Sequence, residues 1–166
     1  MNLEAEIFVD INYPSWENTF PRIDQFVKVV TFEALMFLGI KGDVELGVML
    51  TSDEKVKKYN LQYRGINSAT NVLSFQQEFL GRLPSEAPQL LGDLIFGYQI
   101  IMKESYEQNK LLSEHLAHLI VHGVLHLIGY DHIDNKNAIL MEKKEAEILG
   151  ILGFSDPYKL EGNLNY

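Results

Sequence analysis

All five histidines of the chain lie in one stretch, His115 to His132, which reads H-L-A-H-L-I-V-H-G-V-L-H-L-I-G-Y-D-H. At about 100° per residue, His115, His118, His122 and His126 share a narrow stripe of one helix face. The other positions are nearly all apolar: Leu116, Leu119, Ile120, Val121, Val124, Leu125, Leu127 and Ile128. A helix apolar almost all round belongs in the middle of a domain. Imidazoles carried there must find partners for their ring nitrogens, and a metal ion is one that several can share.

The spacing makes that reading specific. His122 and His126 are one turn apart and project side by side. Gly129 stands where a left-handed residue would end the helix and turn the chain back. His132 then arrives on the returning segment as a third ligand. Three neutral imidazoles with an open fourth position form the ligand set of a catalytic zinc site rather than a closed structural one. The frame H-x3-H-x2-G-x2-H is also that of zinc peptidases, but Gly123 stands where such an enzyme has its general-base glutamate. This argues against a protease.

Other candidates carry two readings each. His118, one turn before His122, either lines the pocket and steadies a ligand or makes an ordinary core hydrogen bond. His115, near the helix start, reads as structural or solvent-facing. Asp131 could orient a ligand or accept a proton, and equally could form a turn. Asp93, an acid in an apolar run, reads as a hairpin or edge residue in preference to a partner of the ligands. Arg64 precedes Gly65 at a helix end, where a surface arginine is the commoner outcome, although its planar fork can hold a phosphate.

Along the chain, residues 5–12 alternate as a first strand and residues 44–51 as a second. Thr70–Phe75 and Leu91–Gly97 read as a third and fourth. Helical spacing covers roughly 21–38, 53–63 (capped by Thr51 or Ser52), 99–108, the histidine stretch capped by Ser113, and a last helix from an Asp134 cap to Leu149. Ser15–Pro21 holds turn chemistry and helix-start residues, and Gln77–Gln89 reads as a loop. The tail from Ser155 looks frayed. This predicts an α+β fold: one domain over residues 1–154, a small mixed four-stranded sheet packed against about five helices, and a C-terminal tail over 155–166.

Composition adds constraints. With 46% hydrophobic residues, 22% charged residues and no cysteine, this is an ordinary globular chain without thiolate metal sites. No leader pattern follows Met1 and no apolar run approaches a membrane span, which predicts a cytoplasmic protein with no membrane partner. The net charge of −9 does not suggest nucleic acid. Any phosphate-binding surface must therefore be local, the densest candidates being Lys55, Lys57, Lys58 and Arg64.

The segment Ala117–His132, A-H-L-I-V-H-G-V-L-H-L-I-G-Y-D-H, resembles the signature of the YbeY family. The resemblance extends through Asn60–Phe75 (N-L-Q-Y-R-G-I-N-S-A-T-N-V-L-S-F), Leu91–Phe96 (L-G-D-L-I-F) and Met141–Leu149 (M-E-K-K-E-A-E-I-L). Gln76 is a departure, standing where the family usually has proline. The resemblance implies a zincin-like α+β fold built round the histidine helix. It also implies a zinc-dependent endoribonuclease specific for single strands, acting in ribosomal RNA maturation and ribosome quality control. The expected partners are then ribosomal RNA and the small ribosomal subunit, with no DNA. It assigns Arg64 as the catalytic arginine, beside one zinc ion on His122, His126 and His132. Such an ion would make hydroxide available near neutral pH without a dedicated base. Two other classes stay open: a zinc hydrolase of a small molecule or peptide, and a zinc-stabilised module that assists ribosome assembly without catalysis.

Overall fold

A computed structural model describes residues 2–77 and 87–159. In chain order the elements are β1 (Leu3–Ile11), α1 (Ser15–Thr19), α2 (Ile23–Phe37), β2 (Gly42–Thr51), α3 (Asp53–Arg64), β3 (Val72–Gln76), β4 (Gln89–Gly97), α4 (Tyr98–Glu107), α5 (Leu112–Ile128) and α6 (Asn135–Ile151). The sheet is mixed and four-stranded, in the order β1-β2-β4-β3. β1, β2 and β4 run parallel, and β3 is antiparallel to β4 at the edge. The α+β architecture is the expected one. The described helices number six rather than about five. The extra one is short α1, pinned because fully buried Trp16 donates its Nε1–H to the Thr51 carbonyl at 3.0 Å.

Strand alternation decides which face meets what. Leu46, Val48 and Leu50 of β2, with Leu94 and Phe96 of β4, point into the main core, which α2, α5 and α6 close from that side. The opposite face carries a smaller cluster, Val56, Leu73 and Ile95, under α3. α5 therefore lies against the sheet, buried along most of its length.

Several boundaries differ from expectation for local reasons. β3 begins at Val72 instead of Thr70, because the Asn71 side chain accepts the Val72 N–H at 2.7 Å while its carbonyl takes the Gly97 N–H at 2.9 Å. Ser113 does not cap α5. The helix starts at Leu112, and the Leu111 carbonyl already accepts the His115 N–H. Asp93 is not at a hairpin or edge: β4 lies inside the sheet, and Asp93 faces outward from its open face. Within the expected tail, the Tyr158 hydroxyl donates to Glu145, and residues 160–166 fall outside the described residues. Most of the loop assigned to Gln77–Gln89 falls outside the described residues. Among the described residues no single helix is long and apolar enough to cross a membrane.

Candidate metal centre and phosphate cleft

α5 ends as its sequence predicts. Gly129 adopts φ +108°, its N–H bonds the His126 carbonyl, and the Tyr130 N–H reaches back to the Leu125 carbonyl. That reversal returns His132 to the end of α5. One ligand atom from each of His122, His126 and His132 then lies within 4.8 Å of the others. Their ring centroids are 4.6 to 5.5 Å apart.

The donor chemistry fits a metal ion. His122 donates its Nδ1–H to Glu145 Oε1 at 2.6 Å, which leaves Nε2 as a lone pair. That Nε2 faces His126 Nε2 at 3.1 Å. Burial, then the nearby His122 and His132, push the His126 pKa below 6.5, so its ring stays neutral and available to a cation. Held this way, the three rings converge on one point from two turns of helix and one returning segment.

Glu145, only 1% exposed, organises the back of the centre. His118 donates Nε2–H to its Oε2 at 2.9 Å, and the Tyr158 hydroxyl donates to the same oxygen. Burial alone would push the Glu145 carboxyl upward, but hydrogen bonds from His118, His122 and Tyr158 outweigh it and hold the group down at about 2. His118 therefore bonds the carboxylate that orients His122, and it does not line the cleft. Neither Glu145 nor Tyr158 was singled out from sequence. The available signal was that Glu145 shares a helix face with Met141, Ile148 and Leu149, all buried.

The opposite wall comes from α3 and β3. Gly65, at φ +70°, ends α3 and leaves Arg64 on its last turn. Arg64 reaches round the free edge of β3 and donates Nη2–H to the Ser74 carbonyl at 2.7 Å, its guanidinium 5.4 Å from the Phe75 ring centre. Arg64, Asn71, Ser74 and Gln76 face His122, His126 and His132 across a cavity of about 570 Å³. Asp131 is the one carboxylate lining that cavity among the described residues. Its Oδ1 accepts the Ile133 N–H at 3.3 Å, a turn bond, and among the described residues Oδ2 has no partner.

His115 lies apart, structural rather than solvent-facing. It is buried, with Nε2 2.6 Å from Glu104 Oε2, and Glu104 also accepts from Asn71 Nδ2 of the cleft wall. Its Nδ1 is buried and has no partner among the described residues. Burial dominates over the Glu104 contact and lowers its pKa, so a neutral ring donating through Nε2 accounts for both facts. Gly123 is placed by packing: a Cβ there would stand 2.7 Å from Leu94 Cδ2. That position points at the sheet, so a side chain there would have to displace buried Leu94.

A family model described as Endoribonuclease YbeY matches residues 10–153. Endoribonuclease YbeY of Paramagnetospirillum magneticum is 40% identical over 162 residues, covering 95% of this chain and 98% of that protein. Endoribonuclease YbeY of Rhodopseudomonas palustris strain BisB18 is 47% identical over 142 residues, covering 84% and 83%. The solution structure of TM1509 from Thermotoga maritima aligns with a TM-score of 0.51 at 22% identity, over 93% of this chain and 100% of that one, a likeness of fold alone.

Proposed function

The chain belongs to the endoribonuclease YbeY family, and from that premise we propose that it cleaves single-stranded ribosomal RNA during maturation and quality control of the small ribosomal subunit, in the cytoplasm, with zinc held by His122, His126 and His132. The observation that carries the reading is the convergence of three imidazole nitrogens within 4.8 Å in a cleft that Arg64 also lines. When bound, the ion supplies Lewis acidity at the scissile phosphate. Arg64 is the one cationic side chain lining that cleft among the described residues, and a bound ion would add to it, which suits a phosphate on a chain whose net charge is −9.

Arg64 binds the phosphate. Its Ser74 bond uses one N–H, and the remaining donors of the fork can hold two phosphate oxygens as charge builds on them. Glu145 keeps His122 aimed and is itself unsuited to take a proton, being fully hydrogen-bonded and strongly acidic. Proton acceptance from the attacking oxygen falls to Asp131 Oδ2, the cavity-lining carboxylate oxygen with no partner among the described residues.

The test is cleavage of a single-stranded segment of small-subunit ribosomal RNA and of the same segment as a duplex. Protein stripped with a chelator and then reloaded with zinc should lose and regain cleavage of the single strand and leave the duplex intact. Cleavage indifferent to chelation, or intact single strands with zinc-loaded protein, overturns the reading.

A further inference from the structure

On the face of the sheet away from α5, one residue per strand lines up across the register: Phe8, Gly47, Asp93 and Phe75. The glycine makes a notch in that row. Asp93 folds its carboxylate over it, so closely that a Cβ on Gly47 would stand 2.3 Å from Oδ1. No described residue hydrogen-bonds or ion-pairs with that carboxylate. α3 roofs the notch with Tyr59 and Tyr63, stacked 6.0 Å apart at 12°, and Tyr63 meets the Phe75 ring edge-on at 5.4 Å. Together these residues line a largely apolar, solvent-open space of about 560 Å³.

The notch and the cleft lie on opposite faces of the sheet and adjoin at β3 and the end of α3, where Phe75 and Tyr63 line the notch and Ser74 and Arg64 line the cleft. Arg64 sits over Phe75 and holds the carbonyl of Ser74, so the Phe75 ring separates the phosphate position from the notch. An RNA strand whose phosphate lies at Arg64 can pass round the free edge of β3 and present its neighbouring base to Tyr63 and Phe75. Asp93, with Asp10 one row away, repels the phosphate backbone and leaves the base as the part that enters. Unpaired bases are read by stacking on aromatic rings and by hydrogen bonds to their edges.

We propose that this notch is a guanine-recognition pocket for the nucleotide next to the scissile phosphate, an inference that rests on the RNA-cleavage reading above. A carboxylate offers two acceptor oxygens and no donor. Guanine alone among the four bases presents two adjacent donors on one edge, its N1–H and its exocyclic amino group, and so pairs with Asp93 through two parallel bonds. Adenine, cytosine and uracil offer a single donor there. Inosine keeps N1–H but lacks the amino group, which makes it the discriminating probe.

The experiment measures kcat/KM of the zinc-loaded protein on matched single-stranded oligonucleotides carrying guanine, inosine or adenine at each position beside a fixed cut. In parallel, guanosine and adenosine monophosphates are titrated while the backbone amides of Gly47 and Asp93 are followed by NMR. At one position guanine should be preferred over inosine by about tenfold or more, and the guanosine nucleotide should move those amides at lower concentration. Asp93→Asn replaces one acceptor by a donor, and Gly47→Ala drives the carboxylate out of the notch. Each should bring the guanine-to-inosine ratio to within about twofold of one. A wild-type ratio near one overturns the pocket while leaving the nuclease reading in place. A ratio unchanged in both variants also overturns it and gives this face to a protein partner. If no RNA is cut but the guanosine nucleotide still binds at Gly47 and Asp93, the pocket stands and the nuclease reading falls.

Discussion

Glu145 holds His122 by Nδ1 and His118 by Nε2, and the Tyr158 hydroxyl closes the group from the tail. Without the carboxylate, His122 loses the bond that fixes its tautomer and ring orientation. Glu145→Gln should weaken zinc binding by roughly 10- to 100-fold, with a smaller loss in Tyr158→Phe, measured by competition against a chromophoric chelator. Unchanged affinity in Glu145→Gln would mean that α5 alone sets the ligand geometry. The convergence of His122, His126 and His132 was legible because their spacing is local, set by a helical turn and a glycine. Glu145 was not, since it meets His122 and His118 across 23 and 27 residues, a distance that no periodicity reports. His115 gives a pH prediction of its own. Its folded pKa lies below 6.5, so the neutral ring contributes fully above that pH. As pH falls below 6.5 the unfolded chain takes up a proton that the folded chain resists. Stability then declines by up to about 1.4 kcal/mol per pH unit until the folded pKa is reached. Urea midpoints between pH 7 and pH 5 should fall more steeply for wild type than for His115→Gln. Equal slopes would show that the buried ring charges freely.

Among the elements, α5 does two jobs: its apolar sides build the core and its one polar stripe builds the centre. Gly123 shows how closely these are joined, since the helix approaches the sheet to within the room a glycine leaves beside Leu94. Gly123→Glu would restore the letter pattern of a zinc peptidase, but the carboxylate would be forced against fully buried Leu94. It should cost at least about 2 kcal/mol in chemical denaturation and produce no peptidase activity. A stable, proteolytic Gly123→Glu protein would refute this account of the helix. Strands and long helices were readable from alternation and helical spacing. The interior position of β4 was not, because strand order depends on parallel crossovers between segments distant in sequence. α1 escaped notice because five residues carry too little periodicity, and its anchor is one tryptophan bond to β2.

For the molecule as a whole, the acidic balance misdirects. A net charge of −9 argues against RNA until the cleft is seen to gather Arg64 and the three imidazoles at one edge of the sheet. The polar centre forms where three parts of the chain meet: the end of α5 with its returning segment, the end of α3, and the free edge of β3. On the proposed reading metal and phosphate would be held by separate elements, so loss of one should not remove the other. The measurement that tests this most directly is zinc content together with cleavage of single-stranded ribosomal RNA, for wild type, His126→Ala and Arg64→Ala. The account predicts about one zinc per chain and cleavage in wild type, and loss of both in His126→Ala. Arg64→Ala should keep its zinc while cleavage falls by at least about 100-fold, the scale on which a donor to the reacting oxygens acts. An Arg64→Ala protein that still cuts at the wild-type rate, or a His126→Ala protein that cuts without zinc, would contradict it.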